Sequence, residues 1–223
     1  MISDVISTAL FTDNRVNIPV LKQRAYNHRW AVQEADIIPL TAADPDFPIA
    51  PQIVAGMQNY LQKGYLSYGP PTGLPEFCEG VAETLQRKRV LTCEADQIFA
   101  VNSAASALFL VAKFALNNPG DEALIADPVD FLFERSVVAA GGRVKRFSLN
   151  GGGQGTFDPD EIEALITSGK TKLLSICNPH NPLGRVWTRD ELLQLADIAV
   201  RHNLWIMSDE VWADIVYQPH HHT

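Results

Sequence analysis

The chain has 223 residues, 46% of them hydrophobic and 20% charged, with a formal net charge of −8. That length accommodates one large α/β domain, or one domain and part of a second. The acidic balance argues against nucleic acid or an anionic membrane as the main partner, and no apolar run is long enough to span a bilayer. The first fifteen residues, MISDVISTALFTDNR, carry an acid at Asp4 and only a short apolar run, so no signal peptide is expected. Cys78, Cys93 and Cys177 are odd in number and lack CxxC spacing. They read as reduced thiols of a cytoplasmic protein, with neither a disulfide framework nor a zinc site.

Residues 1–49 are expected to be irregular, because Pro19, Pro39, Pro45 and Pro48 break any pattern, and they form an N-terminal arm and small-domain segment. Residues 50–223 read as a partial large domain. An amphipathic helix is predicted over about 50–63, a Pro- and Gly-rich loop over 65–73 and a second helix over about 74–89. From there the chain alternates. IFAV (98–101) is predicted as a buried strand, Ser103 to Leu116 as a helix and EALIAD (122–127) as a strand. A helix over about 131–140 and a strand over 143–149 follow. Asp158-Pro159-Asp160-Glu161 opens the next helix with a cap, a proline and acids in the first turn. KLLSIC (172–177) is a strand, Thr188-Arg189-Asp190-Glu191 is a capping box before LLQLADIAV, and LWIMSD (204–209) is the last strand. Short apolar strands alternating with helices predict an α/β fold, a mainly parallel sheet covered on both faces in a three-layer α/β/α arrangement. GGGQG (151–155) lacks the GxGxxG spacing of a dinucleotide loop and reads as a connector. Arg185 reads as a solvent or interface residue, and His220, His221 and His222 as a His-rich turn.

Three positions on one sheet edge carry the chemistry. NSAASAL (102–108) lies between a strand and a helix, where free backbone N–H groups and the macrodipole favour an anion such as a phosphate. Ser103 can cap that helix or donate its hydroxyl, and the small Ala104 and Ala105 let an anion approach the backbone. A plain serine cap explains the same residues. Asn181 sits in an Asn-Pro-x-Gly turn after a strand and offers an amide donor, although such turns also serve as connectors. Asp209 ends the last strand, where a carboxylate can pair with a protonated ring nitrogen or cap the next turn. Taken in order at the carboxyl edge of a parallel sheet, the three suit pyridoxal 5′-phosphate (PLP), which has a phosphate, a ring hydroxyl and a basic ring nitrogen.

Four motifs, AADPDFP (42–48), YGPPTGLPEF (68–77), NSAASAL (102–108) and CNPHNPLGR…SDE (177–210), make the chain resemble the fold type I PLP-dependent enzymes, specifically the class I/II aminotransferases. The ADPDF form is also similar to the branch containing cystathionine β-lyase-type C–S lyases. The resemblance implies that Asp209 pairs with the pyridinium and Asn181 with the 3-hydroxyl, and that Ser103, Ala104 and Ala105 hold the phosphate. It further implies that Tyr68 reaches the neighbouring subunit's cofactor in a homodimer and that Ala43 lies near the substrate. Asp130 stands where the family usually has a ring that stacks on the cofactor, with Phe131 or Phe133 as substitutes. Trp212 stands where a tyrosine often bonds the 3-hydroxyl.

The family's cofactor-bearing lysine follows the Asp209 strand, whereas Lys22, Lys63, Lys88, Lys113, Lys145, Lys170 and Lys172 all precede Asn181. No catalytic residue is therefore assigned, and the chain is expected to be an N-terminal part of its parent, inactive alone. The implied activity is amino transfer between an amino acid and a 2-oxo acid. A C–S β-lyase and a non-catalytic remnant are the rival readings.

Overall fold

A computed structural model describes residues 12–34, 36–149, 155–215 and 217. The chain forms two compact units, Met1–Tyr68 and Gly69–Thr223. Most of GGGQG and all of His220, His221 and His222 lie outside the described residues.

The first unit corrects the expectation of an irregular arm. Among its described residues a 3-10 turn at Asp13–Arg15 and two short helices, α1 (Ile18–Gln23) and α2 (His28–Ala31), fall within 12–49, and α3 (Pro51–Leu61) forms where a helix is predicted. Pro19 does not prevent this, because it sits in the first turn of α1, as Pro51 does in α3, where the missing N–H has no intrahelical partner to lose, while Pro39, Pro45 and Pro48 lie in irregular chain as expected. Asn17 and Asn27 cap α1 and α2 through their side-chain oxygens. Buried Arg29 anchors the loop that follows. Its Nε donates to Asp44 Oδ1 (3.2 Å), and its Nη2 donates to the Asp44 carbonyl (2.6 Å) and to Asp46 Oδ1 (2.5 Å). Trp30 Nε1 reaches the same Asp46 oxygen at 2.9 Å, and Asn27 Nδ2 the other Asp44 oxygen at 2.5 Å.

In the second unit, α4 (Pro75–Arg89) and α5 (Ala104–Ala115) precede a β/α alternation. β1 (Glu122–Asp127), α6 (Phe131–Ala139), β2 (Arg143–Ser148), α7 (Pro159–Leu165), β3 (Thr171–Cys177), α8 (Arg189–His202) and β4 (Trp205–Asp209) follow in turn. The four strands are all parallel, in the order β2-β1-β3-β4. Alternate residues of β1 feed two cores. Ala123 and Ile125 join Phe133 and Val137 of α6 and Leu108 and Ala112 of α5 on one face. Leu124 and Ala126 join Ile162 of α7 and Leu195 and Ile198 of α8 on the other. The result is the predicted α/β/α layering around a parallel sheet.

Caps bound these helices as the sequence indicates. Asp158 Oδ1 accepts the Asp160 amide, and the Thr188/Glu191 capping box is closed in both directions. α8 ends on Asn203 at φ 54°, the left-handed position asparagine tolerates. The expected strand at 98–101 does not form. A strand needs a ladder partner, and here Ala100 N–H donates to the Thr72 carbonyl at 2.8 Å while Ile98 N–H makes only a local turn bond to the Ala95 carbonyl at 3.2 Å. Phe99 and Val101 are exposed beside α5.

Candidate functional site

The strand order fixes where a ligand crevice opens. The chain moves outward from β1 to β2, then crosses back over β1 to add β3 and β4 on its other side. The direction of winding reverses between β1 and β3, so the loops at their carboxyl ends diverge there. Those loops carry Asp130 and Asn181, and the neighbouring strand end carries Asp209.

Asp209 is in register with Cys177 across the β3–β4 ladder, and its carbonyl accepts Asn178 N–H at 2.9 Å. Its Oδ1 accepts the Val211 amide at 3.0 Å, which turns the chain out of the strand. Asp209 shares a cleft of about 370 Å³ with Ala104, Ala107 and Leu108 of α5 and with Met207 of β4. At the start of α5, Ser103 acts as the N-cap, its Oγ accepting Ser106 N–H at 3.2 Å. The amides of Ala104 and Ala105 have no hydrogen-bond partner among the described residues. The strand-end carboxylate and the open first turn of α5 are thus brought to one edge.

Asn181 stands on the other side of β3, in a turn held from several directions. Gly184, at φ 64°, supplies the left-handed residue this turn requires. Gly184 N–H donates to the His180 carbonyl at 2.8 Å and His180 N–H to the Arg185 carbonyl at 2.7 Å. Trp187 fastens the turn to the strand, its Nε1 donating to the Cys177 carbonyl at 2.7 Å and its amide to Asn178 Oδ1 at 3.1 Å. Arg185 does not extend freely into solvent. It donates to the Gly155 carbonyl (2.7 Å) and to both Glu191 oxygens (2.9 and 2.7 Å), and its guanidinium lies 4.9 Å from the Trp187 ring centroid. Burial works to raise the Glu191 carboxyl, but the Thr188 amide and Arg185 outweigh it and hold it below its ordinary value.

Asp130 caps α6 through Oδ1, which accepts Leu132 N–H at 2.9 Å, and through Oδ2 it accepts Asn181 Nδ2 at 2.9 Å. The two phenylalanines after it differ, Phe131 being exposed and Phe133 not. Phe133 is fully buried in the core, and Phe131 lies under the Arg135 guanidinium at 4.7 Å. Beneath Asp130 and Asp209 lies Cys177. Burial chiefly, and then those two carboxylates, push its thiol up to about 11, against a lowering by the Asn181 amide. Trp212 is half-buried in the turn after β4. Tyr68 and Ala43 belong to the first unit and are exposed, Ala43 immediately before the Asp44 that grips Arg29.

No lysine of the second unit lines this edge among the described residues. Lys145 reaches Glu122, Thr167 and the Leu165 carbonyl, Lys113 the Ala140 carbonyl and Lys88 Asp214. Lys170 and Lys172 flank the amino end of β3. Sequence reading missed the Asp130–Asn181 bond and the Trp187 anchor. The first was legible only as an Asp in N-cap position before FLFE, and the second had no local signal because its partners lie across a turn.

The profile of the family "Aminotransferase class I and II" matches residues 35–223. The chain belongs to that family. It is 37% identical over 188 residues to the aspartate aminotransferase of Thermotoga maritima, covering 82% of this chain and 48% of that protein. The crystal structure of aspartate aminotransferase from Thermotoga maritima superposes with a TM-score of 0.79 at 35% identity, over 84% of this chain and 50% of that one. Cystalysin from Treponema denticola, solved with pyridoxal 5′-phosphate, gives 0.77 at 28% identity, over 94% of this chain and 52% of that one. The chain thus spans about half the length of the relatives it matches.

Proposed function

We propose that this chain serves a PLP-dependent aminotransferase, moving an amino group between an amino acid and a 2-oxo acid. The observation that carries the reading is the cleft that Asp209 shares with the open first turn of α5. The residues present fit the cofactor. The unpartnered amides of Ala104 and Ala105, residues whose own side chains are only methyl groups, suit a phosphate. One Asp209 oxygen accepts the Val211 amide, and the other is available to hold a proton at the ring nitrogen. Asn181 has a second amide hydrogen for the ring 3-oxygen, with the Trp212 indole N–H as another candidate donor. When bound, PLP supplies an electron sink for charge developing at the substrate α-carbon. Asp209 strengthens that sink by keeping the ring nitrogen protonated.

Tyr68 and Ala43 complete the assignment as a partner-subunit phosphate contact in a homodimer and a substrate-side position. The relatives' names make aspartate and a 2-oxo acid the first substrates to test. No lysine of the second unit lines the cleft among the described residues, so the chain alone is expected to bind PLP without turnover. Equilibrium dialysis with PLP tests the reading: a folded chain that retains no cofactor at millimolar concentration overturns it. The second reading, a C–S β-lyase, is favoured by AADPDFP and by the likeness to cystalysin over 94% of the chain. In the complete protein, 2-oxo acid release from a cysteine conjugate without any amino acceptor would select it over transamination.

A further inference from the structure

We infer that Asp130 is a positioning residue that sets which end of the Asn181 amide faces the cofactor's 3-oxygen. This rests on the PLP reading above and goes beyond it. Asp130 joins two loops that leave adjacent strands at the switch point, one oxygen bonding its own helix start and the other bonding Asn181 across the crevice. A carboxylate only accepts, so Asn181 must turn its NH₂ group toward Asp130 and its carbonyl away. One of the two Nδ2 hydrogens is used on Asp130, and the other remains on the same edge as a donor.

An aromatic ring at position 130 would leave the amide free to present either end. Here the loss of a stacking surface is accompanied by a fixed donor. The turn around Asn181 is already held through Trp187 and Arg185, so the remaining freedom at this residue is the amide's own rotation. Asp130 removes it.

The test uses the 223-residue chain and its D130N, D130A, N181A and D130N/N181A variants. Asparagine keeps the N-cap as well as aspartate does, so D130N retains the start of α6. It offers Asn181 an NH₂ group, however, and so drives the Asn181 amide to flip. Each protein is titrated with PLP and with its 3-deoxy analogue, by quenching of tryptophan fluorescence.

D130N and D130A are expected to weaken PLP roughly tenfold, the size of one hydrogen bond, and to leave the 3-deoxy analogue within about twofold. D130N/N181A should bind PLP no more weakly than N181A. In the ligand-free chain, the Asn181 side-chain amide proton should lie downfield in the wild type and lose that shift in D130N. Unchanged PLP affinity in D130N overturns the inference, as does equal weakening of both ligands, which marks a merely structural role. A wild type that binds neither ligand overturns the cofactor reading itself, and this inference with it.

Discussion

His180 lies inside the same turn as Asn181 and makes the stability of the fold depend on pH. It is 2% exposed, and neither ring nitrogen has a hydrogen-bond partner among the described residues. Burial first, and Arg185 second, push its pKa from 6.5 down to about 4. The folded state therefore refuses a proton that the unfolded state takes up. The stabilisation from the neutral ring is fully present above pH 6.5, falls as the pH drops toward 4 and is flat below that. At about 1.4 kcal/mol per pH unit, the whole window amounts to ~3 kcal/mol.

H180F keeps an aromatic ring beside Trp187, whose centroid is 6.1 Å from that of His180, and removes both buried nitrogens. The variant should be at least as stable as wild type near neutrality, because buried polar atoms without partners cost about 1–3 kcal/mol each. The stability difference between the two proteins should then widen in favour of H180F by up to ~3 kcal/mol between pH 7 and pH 4. Urea denaturation followed by tryptophan fluorescence at each pH measures it. The carboxylates common to both proteins cancel in the difference. A difference that stays constant from pH 7 to pH 4 would refute the buried neutral histidine.

R29M keeps the apolar stem but strips the charge from between Asp44 and Asp46. With Asp44 half-exposed, the loss should be ~2 kcal/mol rather than the 3–5 of a fully buried pair, read as faster hydrogen exchange at the Ala31 amide, which bonds Asn27. V90G should stabilise the chain by about 1 kcal/mol in thermal unfolding, because exposed Val90 holds φ 56°, a left-handed conformation costly for a β-branched residue. T188A should cost about 1 kcal/mol by opening the α8 capping box, measured by the same melt. D209A should weaken PLP binding roughly a hundredfold, the worth of a charge-assisted bond near 3 kcal/mol, with circular dichroism unchanged.

The strands and helices from Glu122 onward were legible because each carries a local signal. Asp158-Pro159 and Thr188-Glu191 mark helix starts, and EALIAD and KLLSIC are apolar runs of strand length. The site positions followed from those elements, since Asp209 and Asn181 needed only the ends of β4 and β3. IFAV carried the same local signal and failed, because hydrophobicity predicts burial but cannot supply the neighbouring strand. LWIMSD formed its strand yet left Trp205 and Ile206 exposed, Trp205 resting edge-on against Phe114 at 5.2 Å. The two acids of ADPDF, Asp44 and Asp46, carried no reading of their own beyond the family likeness, and both turn out to grip an arginine fifteen and seventeen residues earlier. Pairings of that length leave no periodicity to read.

Cys177 tests the electrostatics of the crevice without any ligand. Its thiol is buried, lies opposite Asp209 in the ladder and is near Asp130, and its pKa is raised to about 11. A thiolate there would put a third negative charge beside two carboxylates with little water to screen it, so the neutral thiol persists at physiological pH. It donates to the Pro179 carbonyl at 3.3 Å, which uses its hydrogen inside the protein. Cys78 is also buried, and Cys93 is partly exposed. Iodoacetamide at pH 8 should therefore alkylate Cys93 alone in the folded chain, as read by peptide mass spectrometry. Reaction at Cys177 should begin only with unfolding, or after D209N removes a neighbouring charge and the pH is taken above 9. Labelling of Cys177 at pH 8 in the folded wild type would mean that the strand ends are open to solvent. The cleft beside Asp209 would then be too wet to hold a ring nitrogen's proton as proposed.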